Sequence, residues 1–112
     1  MKIVREKISK DELTGIAEKQ FGTLVKAVVD VGRGIMAVGG ELHADDEAAL
    51  LEEGSRQEDL WGINLYPERI EDDWIEFDSM INIRPSHGNL SRGVENSEIQ
   101  EKIKGTVGKL IK

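Results

Sequence analysis

The chain has 112 residues, a length that one hydrophobic core can support, so a single domain spanning residues 1–112 is expected. It contains no cysteine, which excludes disulfides, thiolate metal centres and a cysteine nucleophile. Its 15 Lys and Arg against 22 Asp and Glu leave a net charge of −7, which repels phosphate backbones and argues against nucleic acid as a partner. No apolar run approaches the ~18 residues of a membrane span and Met1 to Lys10 lack a signal-peptide core, so a soluble cytoplasmic protein with no membrane partner is expected.

In chain order, residues 2–8 read as a first edge strand. Ser9-Lys10-Asp11-Glu12 fits a capping box, in which Ser9 accepts from the Glu12 amide while the Glu12 carboxylate reaches back to the Ser9 amide. A helix follows with Leu13, Ile16, Ala17 and Phe21 on its apolar face, and Gly22 is placed to end it. The β-branched run at 24–31 and the run at 34–38, joined through Gly32-Arg33-Gly34, predict a β-hairpin. Residues 44–54 are ambiguous: Ala, Leu and Glu favour a helix, but the position between strands favours a strand, and the strand is preferred. Residues 60–66 and 74–84 read as two long antiparallel strands ended by Pro67 and Pro85, and 86–93 as a loop. Asn96 or Ser97 caps a last helix bearing Ile99, Ile103, Val107, Leu110 and Ile111, which Gly105 and Gly108 weaken. The fold class is therefore α+β: a single antiparallel sheet of four to six strands, with an N-terminal and a C-terminal helix packed on one face.

Three constellations are candidate sites. Strand alternation puts Asn64 and Tyr66 on the face opposite Trp61, Ile63 and Leu65, and Asp78, Asn82 and Arg84 on the face opposite Phe77 and Ile81. If the two strands pair, these five polar residues share the uncovered sheet face, with a hollow at Gly62 and with Asp78 and Arg84 in or near a surface ion pair. The loop from Arg84 to Arg92 adds His87 and Arg92, and guanidinium groups near free helix amides suit a phosphate or carboxylate. Glu41, His43 and Asp45, with Asp46 and Glu47 beside them, carry metal-compatible ligands, although HADDE matches no zinc motif. Residues 41–78 hold 14 acidic residues against Arg56 and Arg69, which reads first as a solvated surface. No G-x-S-x-G elbow supports a Ser-His-Asp triad drawn from Ser86 or Ser91, His87 and Asp78.

The blocks GGELHADDEAALLEEGSRQEDLWGINLYP and DSMINIRPSHGNLSRGVEN together resemble the signature of a small prokaryotic family of proteins of unknown function. The resemblance covers nearly the whole chain and implies a stand-alone bacterial or archaeal protein, with no activity or mapped site to carry over.

Three functions follow from the residues. The first is a cytosolic binding or regulatory module holding an anionic small ligand or peptide on the polar sheet face, with no cofactor. The second is a metal-assisted hydrolase in which His43, with Glu41 or Asp45, holds a divalent ion and Asp78 acts as base. The third is a homodimer whose role is assembly.

Overall fold

The computed structural model describes the backbone of residues 1–112 and every side chain except those of Glu71 and Asp72. Five strands, β1 (Lys2–Val4), β2 (Val25–Asp30), β3 (Ile35–Val38), β4 (Leu60–Leu65) and β5 (Ile75–Glu76), form one sheet in the order β1-β3-β2-β4-β5, with every neighbouring pair antiparallel. Three helices, α1 (Lys10–Lys19), α2 (His43–Glu52) and α3 (Ser97–Leu110), complete the α+β fold. The α+β class, the single antiparallel sheet and the terminal helices are as the sequence predicts.

Local chemistry explains most of the element ends. Ser9 Oγ accepts from the Glu12 amide at 3.0 Å, but the Glu12 carboxylate turns to Lys2 Nζ at 2.8 Å, leaving the expected capping box half made. Gly22 has φ 89° and donates to Ala17 O, a left-handed stop that a side chain would strain. Asn96 Oδ1 accepts from the amides of Glu98 and Ile99 and so starts α3. At the hairpin turn, the buried Asp30 carboxylate accepts from the amides of Gly32 and Arg33 and from Ser55 Oγ.

Both faces of the sheet are covered. Residues Val25, Ala27, Val29, Trp61, Ile63 and Leu65 meet Leu13 and Ala17 of α1 and Ile103 and Val107 of α3 on one side, so the terminal helices share a face as expected. Val28, Ile35, Ala37 and Leu60 meet Leu50 of α2 on the other, and the expected uncovered face is corrected accordingly. The topology explains this arrangement. β1 and β2 are parallel with β3 between them, and β3 and β4 are parallel with β2 between them. The two interlocked crossovers, through α1 and α2, start from strands of opposite direction and step the same way across the sheet, so right-handed connections put the helices on opposite faces. The preferred strand at 44–54 is likewise corrected: the Ala, Leu and Glu preference for helix prevails.

The end of the chain is tied to its beginning. Ile8 N donates to Leu110 O at 2.8 Å, Lys112 N to Ile8 O at 3.1 Å and Lys10 N to Lys112 O at 3.2 Å, forming a parallel bridge that clasps α1 to α3.

Candidate functional site

The predicted strand at 74–84 is the main correction. Only Ile75–Glu76 pairs with β4, and the chain then leaves the sheet, making a 3-10 turn at Met80–Asn82 begun by Ser79 Oγ, which accepts from Ile81 N. Gly62 makes this path available: a Cβ there would stand 2.5 Å from Ser79 Cβ and 3.1 Å from Ile81 Cγ1. With a strand partner missing, the Asn82 side chain takes its place. Its Oδ1 accepts from Gly62 N at 2.8 Å, and its Nδ2 donates to Gly62 O at 3.0 Å and to Arg92 O at 2.9 Å. Asn82 is fully buried and fully occupied by main chain, so it lines no polar pocket with Asn64.

The other predicted residues separate into two places. At one corner of the α2 face, β-pairing aligns Lys26, Asn64 and Glu76 in a row. Asn64 Nδ2 donates to Glu76 Oε1 at 2.9 Å and the Tyr66 hydroxyl donates to the same oxygen at 3.1 Å. Burial and this acidic partner push the Tyr66 phenol above its usual pKa. Asp78 neighbours this row through its carbonyl and pairs through Oδ1 with Arg92 Nε at 2.6 Å, a half-exposed bridge worth little by itself. The ion pair expected between Asp78 and Arg84 is corrected: the exit of the chain from the sheet gives Arg92 that role.

His43 opens α2 and packs over this corner. Its Nε2 lies 2.8 Å from Ile63 O, and because a carbonyl only accepts, Nε2 carries the hydrogen and the neutral ring keeps Nδ1 as an acceptor. Burial pushes the imidazole pKa below its usual value, against the bond to Ile63, which favours the charged ring. Asp45 caps its own helix by accepting from Leu42 N at 3.2 Å, and Glu41 is exposed. Among the described residues no three His, Asp or Glu groups gather to hold a metal, so the Glu41, His43 and Asp45 set is not assembled. Asp46, which in the sequence is only a neighbour of that set, is fully buried on the inner side of α2. Its Oδ1 accepts from Gly40 N at 3.0 Å while Oδ2 has no partner among the described residues, and burial pushes its pKa up to about 7.

The second place is a cleft of about 430 Å³ between α2 and the turn after β5, walled by Met80, Ile81, Ile83 and Pro85 and containing Arg84 and His87. Pro85–His87 forms a tight 3-10 turn, closed by Gly88 at φ 79° and by paired bonds between Arg84 and Asn89 backbones. Asn89 locks the loop, its Nδ2 donating to the carbonyls of Asn82, Ser91 and Gly93 and its Oδ1 accepting from Glu95 N. Of the free helix amides expected behind this loop, those of Glu98 and Ile99 are already taken by the Asn96 cap of α3. Arg84 is held differently. Its guanidinium stacks on Trp61 at 4.7 Å and donates to the carbonyls of Ile81, Glu58 and Leu60, which uses three of its five N–H groups. Among the described residues it has no ion-pair partner. Glu47 and Glu58 also line this cleft, and the Glu47 charge acts on the half-buried guanidinium without pairing with it, so Arg84 keeps N–H groups that can pair with an anion.

Fold and site together define a small α+β protein whose five-stranded sheet is covered on both faces, with a ligand-sized cleft beside α2. The chain belongs to the DUF5674 family, described as protein of unknown function, whose model matches residues 2–110. Comparison with curated proteins and with solved structures finds no match. No helix is long and apolar enough to cross a membrane.

Proposed function

We propose that the protein is a small cytoplasmic binding module that holds an anionic small ligand or peptide through Arg84. The observation that carries this reading is the Arg84 guanidinium, fixed by three carbonyls and by Trp61, with two N–H groups left over and, among the described residues, no carboxylate paired to it. Carbonyl anchoring fixes the orientation of the guanidinium before a ligand arrives, so little side-chain entropy is lost on binding. The apolar walls at Ile81, Ile83 and Pro85 keep water away from one side of the bound anion and strengthen its pairing with the guanidinium.

Citrate is a sufficient probe. In the wild-type protein, backbone amide resonances at Ile81, Ile83 and Arg84 should move on citrate titration, as they should in Arg84→Lys, which keeps the charge. In Arg84→Met they should stay in place. Equal shifts in Arg84→Met and wild type reject the reading.

A further inference from the structure

A second cleft of about 440 Å³ adjoins the first and shares Glu58 and His87 with it. Its lining is the more acidic of the two: Glu58, Asp59 and Glu95 line it, while Arg56, its one permanent cation, is already paired with Glu58; the first cleft sets Glu47 and Glu58 against Arg84. Hydrogen bonding from Ser91 and from the Leu90 amide holds the Glu95 carboxyl below its usual pKa, and so ionised. Trp61 also lines this cleft. The residue is only 4% exposed, and its indole Nε1–H is a buried donor with no acceptor among the described residues. A buried unpaired donor is uncommon in folded proteins and calls for an explanation. The Arg84 guanidinium lies 4.7 Å from the centroid of the Trp61 ring, so the two donors with spare capacity are close neighbours.

The two clefts therefore ask for different things on either side of His87. One presents the unpaired N–H groups of the Arg84 guanidinium between apolar walls, with Glu47 and Glu58 also in its lining. The other presents carboxylates beside the Trp61 indole, whose N–H is buried and lacks an acceptor among the described residues. Resting on the anion reading above, we infer that the joined groove captures the carboxyl-terminal end of a peptide. The terminal carboxylate lies on Arg84 and the last, apolar side chain on Ile81 and Ile83. An upstream carbonyl accepts from Trp61 Nε1, and an upstream lysine or arginine lies among Glu58, Asp59 and Glu95. A small inorganic anion satisfies only the first of these contacts. A peptide with an acidic upstream residue meets like charge in the second cleft and is turned away.

The test uses the full ¹⁵N-labelled chain and three N-acetylated tripeptides: Lys-Gly-Leu, the same peptide with a C-terminal amide, and Glu-Gly-Leu. The lysine acid should bind at least about tenfold more tightly than either of the others and should shift the Trp61 indole N–H resonance. Asp59→Asn should narrow the gap between the lysine and glutamate peptides while leaving the citrate response intact. Equal affinity for the lysine and glutamate acids, a stationary indole resonance, or no peptide binding at millimolar concentration overturns the inference even if citrate still acts at Arg84. If citrate too leaves the Arg84 region unmoved, the anion reading falls with it.

Discussion

The side chain of Asn82 and the backbone of Gly62 form a closed two-bond pair, Oδ1 to the Gly62 amide and Nδ2 to the Gly62 carbonyl, inside the fold. Replacing Asn82 with Ala should leave both Gly62 groups without partners in a dry site, while Arg92 O keeps its bond from the Ser79 amide. Each orphaned group costs about 1–3 kcal/mol, so urea denaturation should show a loss of roughly 2 kcal/mol or more. A loss below about 1 kcal/mol would show that water or a rearranged loop replaces the amide.

Gly62→Ala probes the other half of that pair. The new Cβ meets the Ser79 Cβ and Oγ at 2.5 and 2.6 Å, neither of which is the end of a flexible chain, so a loss of about 1–3 kcal/mol is expected. Ser79→Gly in the same chain should recover part of it. Without such recovery, the clash does not lie where the geometry puts it.

Asp46 and His43 act on stability in opposite directions with pH. The folded Asp46 pKa, about 7 against 3.8 for the free group, means that the native state holds the proton more tightly, so its contribution falls as pH rises from about 4 to 7. The folded His43 pKa lies below 6.5, so the native state holds that proton less tightly and its contribution falls as pH drops below 6.5. Urea midpoints measured between pH 4 and 8 should show that Asp46→Asn removes the decline toward neutrality and exposes the His43 decline in acid. His43→Gln should do the reverse. Parallel profiles for wild type and both variants would contradict the two assignments.

Gly105 and Gly108 lie in α3 on its exposed side, and a methyl group added at either would meet nothing within 4 Å. Changing each to Ala should stabilise the protein by about 0.5–1 kcal/mol, visible as a raised unfolding midpoint. A decrease would indicate a requirement for glycine that packing does not reveal.

Much of the fold is legible in the residues because local and tertiary preferences agree. The β-branched run of β2 and the caps at Ser9 and Asn96 each specify one element without help from distant residues. The site is less legible, for a definite reason. Residues 77–84 alternate like a strand, but Ser79 and Asn82 use their side chains on main-chain groups, and no periodicity argument detects that competition. Gly62 marks a hollow in the pattern of β4, and the Ser79–Ile81 segment fills that hollow. Asn64, Tyr66, Asp78 and Arg92 do gather near one corner, whereas Arg84 and His87 lie in the separate cleft. Strand alternation places Trp61 in the core, as the structure does, but nothing in the sequence indicates that its N–H lacks an acceptor among the described residues or that Arg84 lies on its ring.

The clasp between Ile8 and the Leu110–Lys112 segment bears on how the protein is made. Ribosomes release a chain from its amino end, and α1 finds the backbone partners for its entry only when Ile111 and Lys112 have emerged. Closing that seam joins backbone groups of long sequence separation, so it waits for residues up to Lys112 to be made, after every other element of the sheet and its helices.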